Sequence, residues 1–271
     1  MDPGFVDRME RAAKGRRARI GIGVLGGGPD LLAGIGAASE YAEIVLVGDP
    51  GPDCEVEQNM DLVRTDDPAS VLVKLLEKGE IDGAVRGNLS ATKAMRKISK
   101  TFEVKVRRLS LLALPDWSFF LAPVGIDEGD SISDRLNLAV LGAGYIRSLD
   151  LDHEPRVSIL SGGRMEDLGR SDRVDRTLAE AELVAKLARD AGVRAEHRGI
   201  LIETCQGSDL IVAPDGISGN LVFRTLMLLS GARGFGAPVI MDPVYVDSSR
   251  ARRSFVGPII LASALVAMKG R

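Results

Sequence analysis

The chain has 271 residues, 45% of them hydrophobic and 27% charged, enough to bury a sizeable core in one large domain or two smaller ones. Its net charge of −3 gives no sign of broad nucleic-acid binding, and the basic run Lys14–Arg19 reads as a solvated helix end, with a local binding patch as the weaker alternative. Cys54 and Cys205 lie far apart, with no CxxC pair and no histidine beside them, which argues against a metal cluster or a disulfide framework and fits a reducing compartment.

The first nineteen residues are highly charged and lack the apolar centre of a signal peptide. RIGIGVL (19–25) predicts a strand, followed by a glycine loop and a helix over LLAGIGAASEYA (31–42). IVLVGD (44–49) predicts a second strand, VLVKLLEKG (71–79) a helix stopped by glycine, and IDGAVRG (81–87) a strand entering another glycine turn. A helix over 90–102 starts at Ser90, an N-capping residue type. VRRLSLLAL (106–114) and FFLAPVGI (119–126) flank Pro115-Asp116-Trp117-Ser118 and predict a β-hairpin. Further on, the pattern gives a helix at 132–150, a strand at 156–162 and a helix at 172–192. It then gives the strand DLIVA (209–213), the helix NLVFRTLMLLSGARGFG (220–236), the strand PVIMD (238–242) and a C-terminal helix. The apolar stretch 255–268 is too short to span a bilayer, so it is expected as a buried helix and the protein as cytoplasmic, with no membrane partner.

Strands alternating with helices predict an α/β protein with largely parallel sheets. The hairpin interrupts the alternation and marks the start of a second lobe, dividing the chain into 1–108 plus 245–271 and 109–244.

In such sheets ligands bind beyond the carboxyl ends of the strands, where helix N-termini favour anions. Gly26-Gly27-Gly28, with Asp49 ending the next strand, serves either as a nucleotide or S-adenosylmethionine site or as a plain tight turn, because Gly21 and Gly23 of the GxGxxG spacing sit inside the strand. Arg86, Asn88, Ser90 and Lys93 suit an anion or simple helix capping. Ser161, Gly162, Gly163 and Arg164 could wrap a phosphate or a pantetheine arm, or form a surface loop. Asp215, Gly219 and Asn220 offer a polar strand-to-helix turn that is either a cap or a ligand contact. Asp242, Asp247, Ser249 and Arg250 precede the last helix, and arginine forks fit phosphate bidentately. The two histidines, His153 and His197, fall in polar connecting segments with no Ser/His/Asp order and no metal spacing, and read as exposed bystanders.

The segments LPDWSFFLAPVGID, EPRVSILSGGRMEDLGRSDRVDR, DLIVAPDGISGNLVFRTL and GAPVIMDPVYVDSSRARRSFVGP resemble, in sequence and order, the phosphate acetyl/butyryl transferase family. Pro214-Asp215-x-x-x-Gly219-Asn220 is the most specific of these matches, and the likeness covers most of the chain. More closely, the whole chain is similar to the methanogenesis marker protein 4 group, methyltransferase-related MtxX. The resemblance implies two α/β lobes with a cleft between them, as in phosphate acetyltransferases and isopropylmalate dehydrogenases. It also implies a homodimer and a site for acyl phosphate and coenzyme A, with no tightly bound cofactor. In such enzymes a Ser-Arg pair, matched here by Ser249-Arg250, holds the phosphate and carbonyl while the coenzyme A thiol attacks. The acid that follows the pair has no counterpart in RRSFVGP, leaving Asp242 and Asp247 as the nearest substitutes. The resemblance thus implies an acyltransferase-type transferase; a methyltransferase and a non-catalytic metabolite-binding protein are the alternatives.

Overall fold

The computed structural model describes residues 1, 4–52, 54–149, 151–249 and 254–270. The chain divides into two compact units, one of residues 6–106 with 235–271 (the N-terminal unit) and one of residues 1–5 with 107–234 (the central unit).

The N-terminal unit opens with α1 (Phe5–Arg16), β1 (Arg19–Leu25), α2 (Gly28–Gly36), β2 (Glu43–Asp49), β3 (Met60–Val63), α3 (Pro68–Glu77), β4 (Gly83–Val85) and α4 (Ala91–Thr101). The central unit carries β5 (Ser110–Leu114), β6 (Trp117–Ala122), α5 (Ile132–Arg147), β7 (Arg156–Leu160), α6 (Asp172–Asp190), β8 (Arg194–Gly199), β9 (Leu210–Val212) and α7 (Gly216–Leu228). The chain then returns through β10 (Arg233–Pro238), β11 (Val244–Asp247) and α8 (Val256–Lys269) to the N-terminal unit.

The sheet of the N-terminal unit runs β3-β2-β1-β4-β11-β10. All its neighbours are parallel except β10 against β11. Strands β1 and β2 are apolar at nearly every position, as a sheet covered on both faces requires. Leu72, Val73 and Leu76 of α3 and Tyr245 of β11 belong to one buried cluster. Eight consecutive residues of α8, Pro258–Leu265, are buried, so the C-terminal apolar stretch is a core helix. Among the described residues no helix is long and apolar enough to cross a membrane.

The central unit has the order β5-β6-β9-β7-β8. Its hairpin β5–β6 is antiparallel and turns tightly enough to pair Leu114 with Trp117. The other neighbours are parallel. Helices start where short polar side chains satisfy free backbone N–H groups. Ser131 accepts from Asp134 N at 3.0 Å, Ser171 from Val174 N at 3.3 Å and Asp215 from Ser218 N at 2.6 Å.

The basic run closes a helix, as expected: the charged N-terminus forms α1, whose Val6, Met9 and Ala13 are buried at helical spacing. Three features depart from the sequence reading. Strands β3 and β8 are additional. The helix expected through residue 236 stops at Leu228. Only the start of PVIMD pairs: Pro238 ends β10, Ala237 and Pro238 pair with Asp247 and Val246, and Val239 N donates to Tyr245 O at 2.9 Å, while the partner strand is VYVD.

Candidate functional site

In the N-terminal unit, Arg86, Asn88, Asp247 and Ser248 follow the carboxyl ends of β4 and β11. Arg86 is 4% exposed; its Nε donates to the Asp247 carboxylate and its Nη1 to the carbonyl of Leu89. Asp247 also accepts from Ser248 N at 3.0 Å, and Ser248 Oγ donates to the carbonyl of Gly87 at 2.9 Å. Asn88 clamps the end of β1, accepting from Leu25 N at 2.8 Å and donating to Leu25 O at 3.0 Å. Gly87 has φ 65°, and a Cβ there would lie 1.8 Å from the carbonyl of Gly23, so only glycine fits this crossing. These residues therefore stitch three parallel strands together through bonds to one another.

The remaining candidates of this unit are dispersed. Ser249 is exposed, and Arg250 lies outside the described residues. Asp242 is exposed at the amino-terminal end of β11, the end opposite Asp247. Ser90 occupies the N-cap position of α4 without a side-chain cap bond, and Lys93 is exposed on the first turn. Gly26, Gly27 and Gly28 all have positive φ and open α2, and Gly26 N donates to Asp49 O at 2.7 Å. The Asp49 carboxylate accepts from Gly51 N at 3.1 Å and from Arg64 Nη1 at 3.0 Å.

The central unit contains a cavity of about 490 Å³. Its walls follow the carboxyl ends of three strands: Ser161 and Gly162 after β7, Ile200 and Ile202 after β8, Asp215 and Ser218 after β9. Ser171 and Arg173, at the N-terminus of α6, complete it, so two helix starts border the space. Arg173 has no ion-pair partner among the described residues. The negative charge of Asp215 is held by the N-terminus of α7, which it caps.

The Gly219-Asn220 motif is explained largely by packing. A Cβ on Gly216 or Gly219 would lie 1.7 Å from Gly125 O or 1.9 Å from Pro123 O, so α7 meets the turn after β6 backbone to backbone. Asn220 Nδ2 donates to Val124 O at 2.8 Å. Of the loop after β7, Ser161 and Gly162 reach the cavity, while Gly163 is buried beside Val174 and Asp167 and Arg164 is exposed.

His153 is exposed as its segment suggests, His197 is not, and neither is a bystander. The His153 side chain is 35% exposed and its Nε2 lies 3.0 Å from Oδ2 of the fully buried Asp209. His197, on β8, has a side chain only 5% exposed. Its Nε2 lies 2.9 Å from Ser161 Oγ and its Nδ1 lies 3.2 Å from Glu182 Oε2 on α6. The β7–β8 register shifts between Ile159 and Leu160, passing over Arg198, an irregularity of the kind that re-aims side chains. Sequence separation hid this trio, because Ser161 and His197 are 36 residues apart.

The fold is that of the phosphotransacylases. A branched-chain phosphotransacylase from Enterococcus faecalis superposes with a TM-score of 0.71 at 18% identity, covering 92% of this chain and 99% of that one. EutD phosphotransacetylase from Staphylococcus aureus matches with a TM-score of 0.65 at 15% identity, covering 97% and 98%. In sequence the chain is 46% identical to a Methanosarcina acetivorans protein provisionally named methyltransferase mtx subunit X, over 96% of this chain and 95% of that one. It is 37% identical to an uncharacterized methyltransferase of Methanopyrus kandleri, over 87% of this chain and 93% of that protein. The chain belongs to the mtx subunit X family. A phosphate acyltransferase of Jannaschia sp. is a more distant relative, 27% identical over 64% of this chain and 51% of that protein. No family model matches.

Proposed function

We propose that this protein binds an acyl phosphate or coenzyme A-type ligand and acts as an acyltransferase-type transferase. The observation that carries the reading is the central-unit cavity, built from the loops after β7, β8 and β9 and the starts of α6 and α7. Strand ends and helix N-termini together supply backbone donors and positive potential for an anionic group. Arg173 adds a guanidinium, and Leu160, Val174 and Val222 supply apolar wall for an acyl or pantetheine chain. The distant phosphate acyltransferase relatives support the same class.

A methyltransferase is the second reading, favoured by the designation that the related proteins carry. It would use the Gly26–Gly28 turn and Asp49 for S-adenosylmethionine. Arg64 already engages Asp49 in an exposed pair, which such a ligand would have to displace. The third reading is a metabolite-binding protein without turnover.

Melting temperatures separate them. The purified protein is heated with acetyl phosphate, coenzyme A or S-adenosylmethionine at matched concentration. A ligand at about 100 times its Kd adds about 2.7 kcal/mol of stability. The proposal expects a rise with acetyl phosphate or coenzyme A, lost in Arg173→Ala, followed by acyl-coenzyme A formation on mixing both. A rise with S-adenosylmethionine alone overturns it, and binding without turnover leaves the third reading.

A further inference from the structure

We infer that Ser161, His197 and Glu182 form a nucleophilic relay that reaches the cavity through Ser161, with Ser161 Oγ as the attacking atom. The substrate class, a small activated acyl compound, rests on the acyl-ligand reading above; the relay itself rests on geometry alone.

A carboxylate can only accept hydrogen bonds, so the 3.2 Å contact with Glu182 puts a proton on His197 Nδ1. Nε2 then has two states. In the neutral ring it accepts from the Ser161 hydroxyl at 2.9 Å. In the imidazolium it donates to Ser161 Oγ, and the hydroxyl turns to the carbonyl of Gly163 at 3.0 Å. These are the two arrangements that a serine, its general base and the base's orienting carboxylate pass through. The parts sit on three elements, and Ser161 N, donating to Gly199 O at 2.8 Å, fixes the serine against the end of β8. Ser161 is 2% exposed and lines the cavity, so its hydroxyl meets a reactant only from that space.

The chemistry balances without a metal or redox partner. Ser161 Oγ attacks the acyl carbon as its proton passes to His197 Nε2. The acyl carbon–oxygen bond to phosphate, or the carbon–sulfur bond to a thiol, then breaks. The leaving group takes the proton from His197, and an acyl ester remains on Ser161. Water or a thiol attacks that ester, His197 accepts its proton, and the proton returns to Ser161 Oγ as the acyl product leaves. Arg173 on the same wall would hold the anionic end of the donor.

The test uses a short-chain alkyl fluorophosphonate, which phosphonylates activated serines with loss of fluoride, and peptide mass spectrometry of the intact folded chain. The expected result is an adduct on Ser161 that is absent in Ser161→Ala. In His197→Gln it forms at least about 100-fold more slowly, the size of a general-base contribution. Glu182→Gln changes a half-exposed side chain whose other contact is an exposed pair with Arg189 at 3.4 Å; it too slows labelling while the melting temperature stays near the parent value. The conservative His197→Gln keeps a hydrogen-bonding side chain, so its melting curve reports whether the loss is chemical. No adduct on Ser161 in the folded parent, or a labelling rate unchanged in both His197→Gln and Glu182→Gln, overturns the relay. An adduct in a protein whose melting temperature ignores acetyl phosphate and coenzyme A keeps the relay and overturns the ligand assignment.

Discussion

At the strand ends of the N-terminal unit, polar side chains spend their bonds on one another; at those of the central unit, they border a cavity. Arg86, Asp247 and Ser248 close a network across β4 and β11 with little surface left over, and the half-buried Asn88 ties it to β1. Ser161, Asp215 and Arg173 surround about 490 Å³ instead. The contrast teaches that a strand's carboxyl end is a place where polar groups collect, and that their partners decide whether they bind a ligand or bind the fold.

The sharpest way to break this comparison is Asp247→Ala. It leaves the Arg86 guanidinium buried without its carboxylate and should cost about 3–5 kcal/mol, read as a lower urea midpoint. A cost below about 1 kcal/mol would mean that the network is not a structural lock and that Arg86 is free to serve a ligand. In the central unit Asn220→Ala should cost about 1 kcal/mol, the usual worth of one hydrogen bond, because its amide serves the carbonyl of Val124. A neutral Asn220→Ala that lowers ligand affinity would move Asn220 into the binding set.

Tyr245→Phe should act in the opposite direction. The Tyr245 hydroxyl is buried without a hydrogen-bond partner among the described residues, so its removal should stabilise by up to about 1 kcal/mol. Burial, with the charge of Asp247 adding to it, pushes this phenol up. Below the unfolded value near pH 10 the phenol is protonated in both states and costs nothing with pH; above it the unfolded chain ionises first, so stability falls as pH rises toward the raised folded value. Tyr245→Phe should flatten that alkaline decline in melting temperature. The smallest expected effect is Arg173→Ala, within about 0.5 kcal/mol on stability, with its consequence confined to the ligand-induced rise in melting temperature.

The fold was legible where the pattern is local. RIGIGVL is strand β1 residue for residue, the hairpin lies around Pro115-Asp116, and α6 follows its Ser171 cap. The solvated end of α1 was readable in its basic run, while the buried stripe of Val6, Met9 and Ala13 was hidden among charges because it is only a few residues wide. PVIMD looked like a full strand because an apolar run carries no record of its partner, and only its start pairs, at the end of RGFGAP against VYVD. Of the candidate site, the loops after strands were readable because turn glycines and capping residues announce themselves. Which of them would face space was not.

What the sequence alone determined is the α/β alternation, the strand-to-helix turns and the residues placed on them, since periodicities of 2 and 3.6 and capping chemistry act within a few residues. Only the tertiary structure decided that Asp247 would close on Arg86 while Asp242 lay at the other end of its strand, and that Ser161 and His197, 36 residues apart, would meet at 2.9 Å. Such meetings depend on strand order and on one register shift between β7 and β8, set by packing between segments distant in the chain.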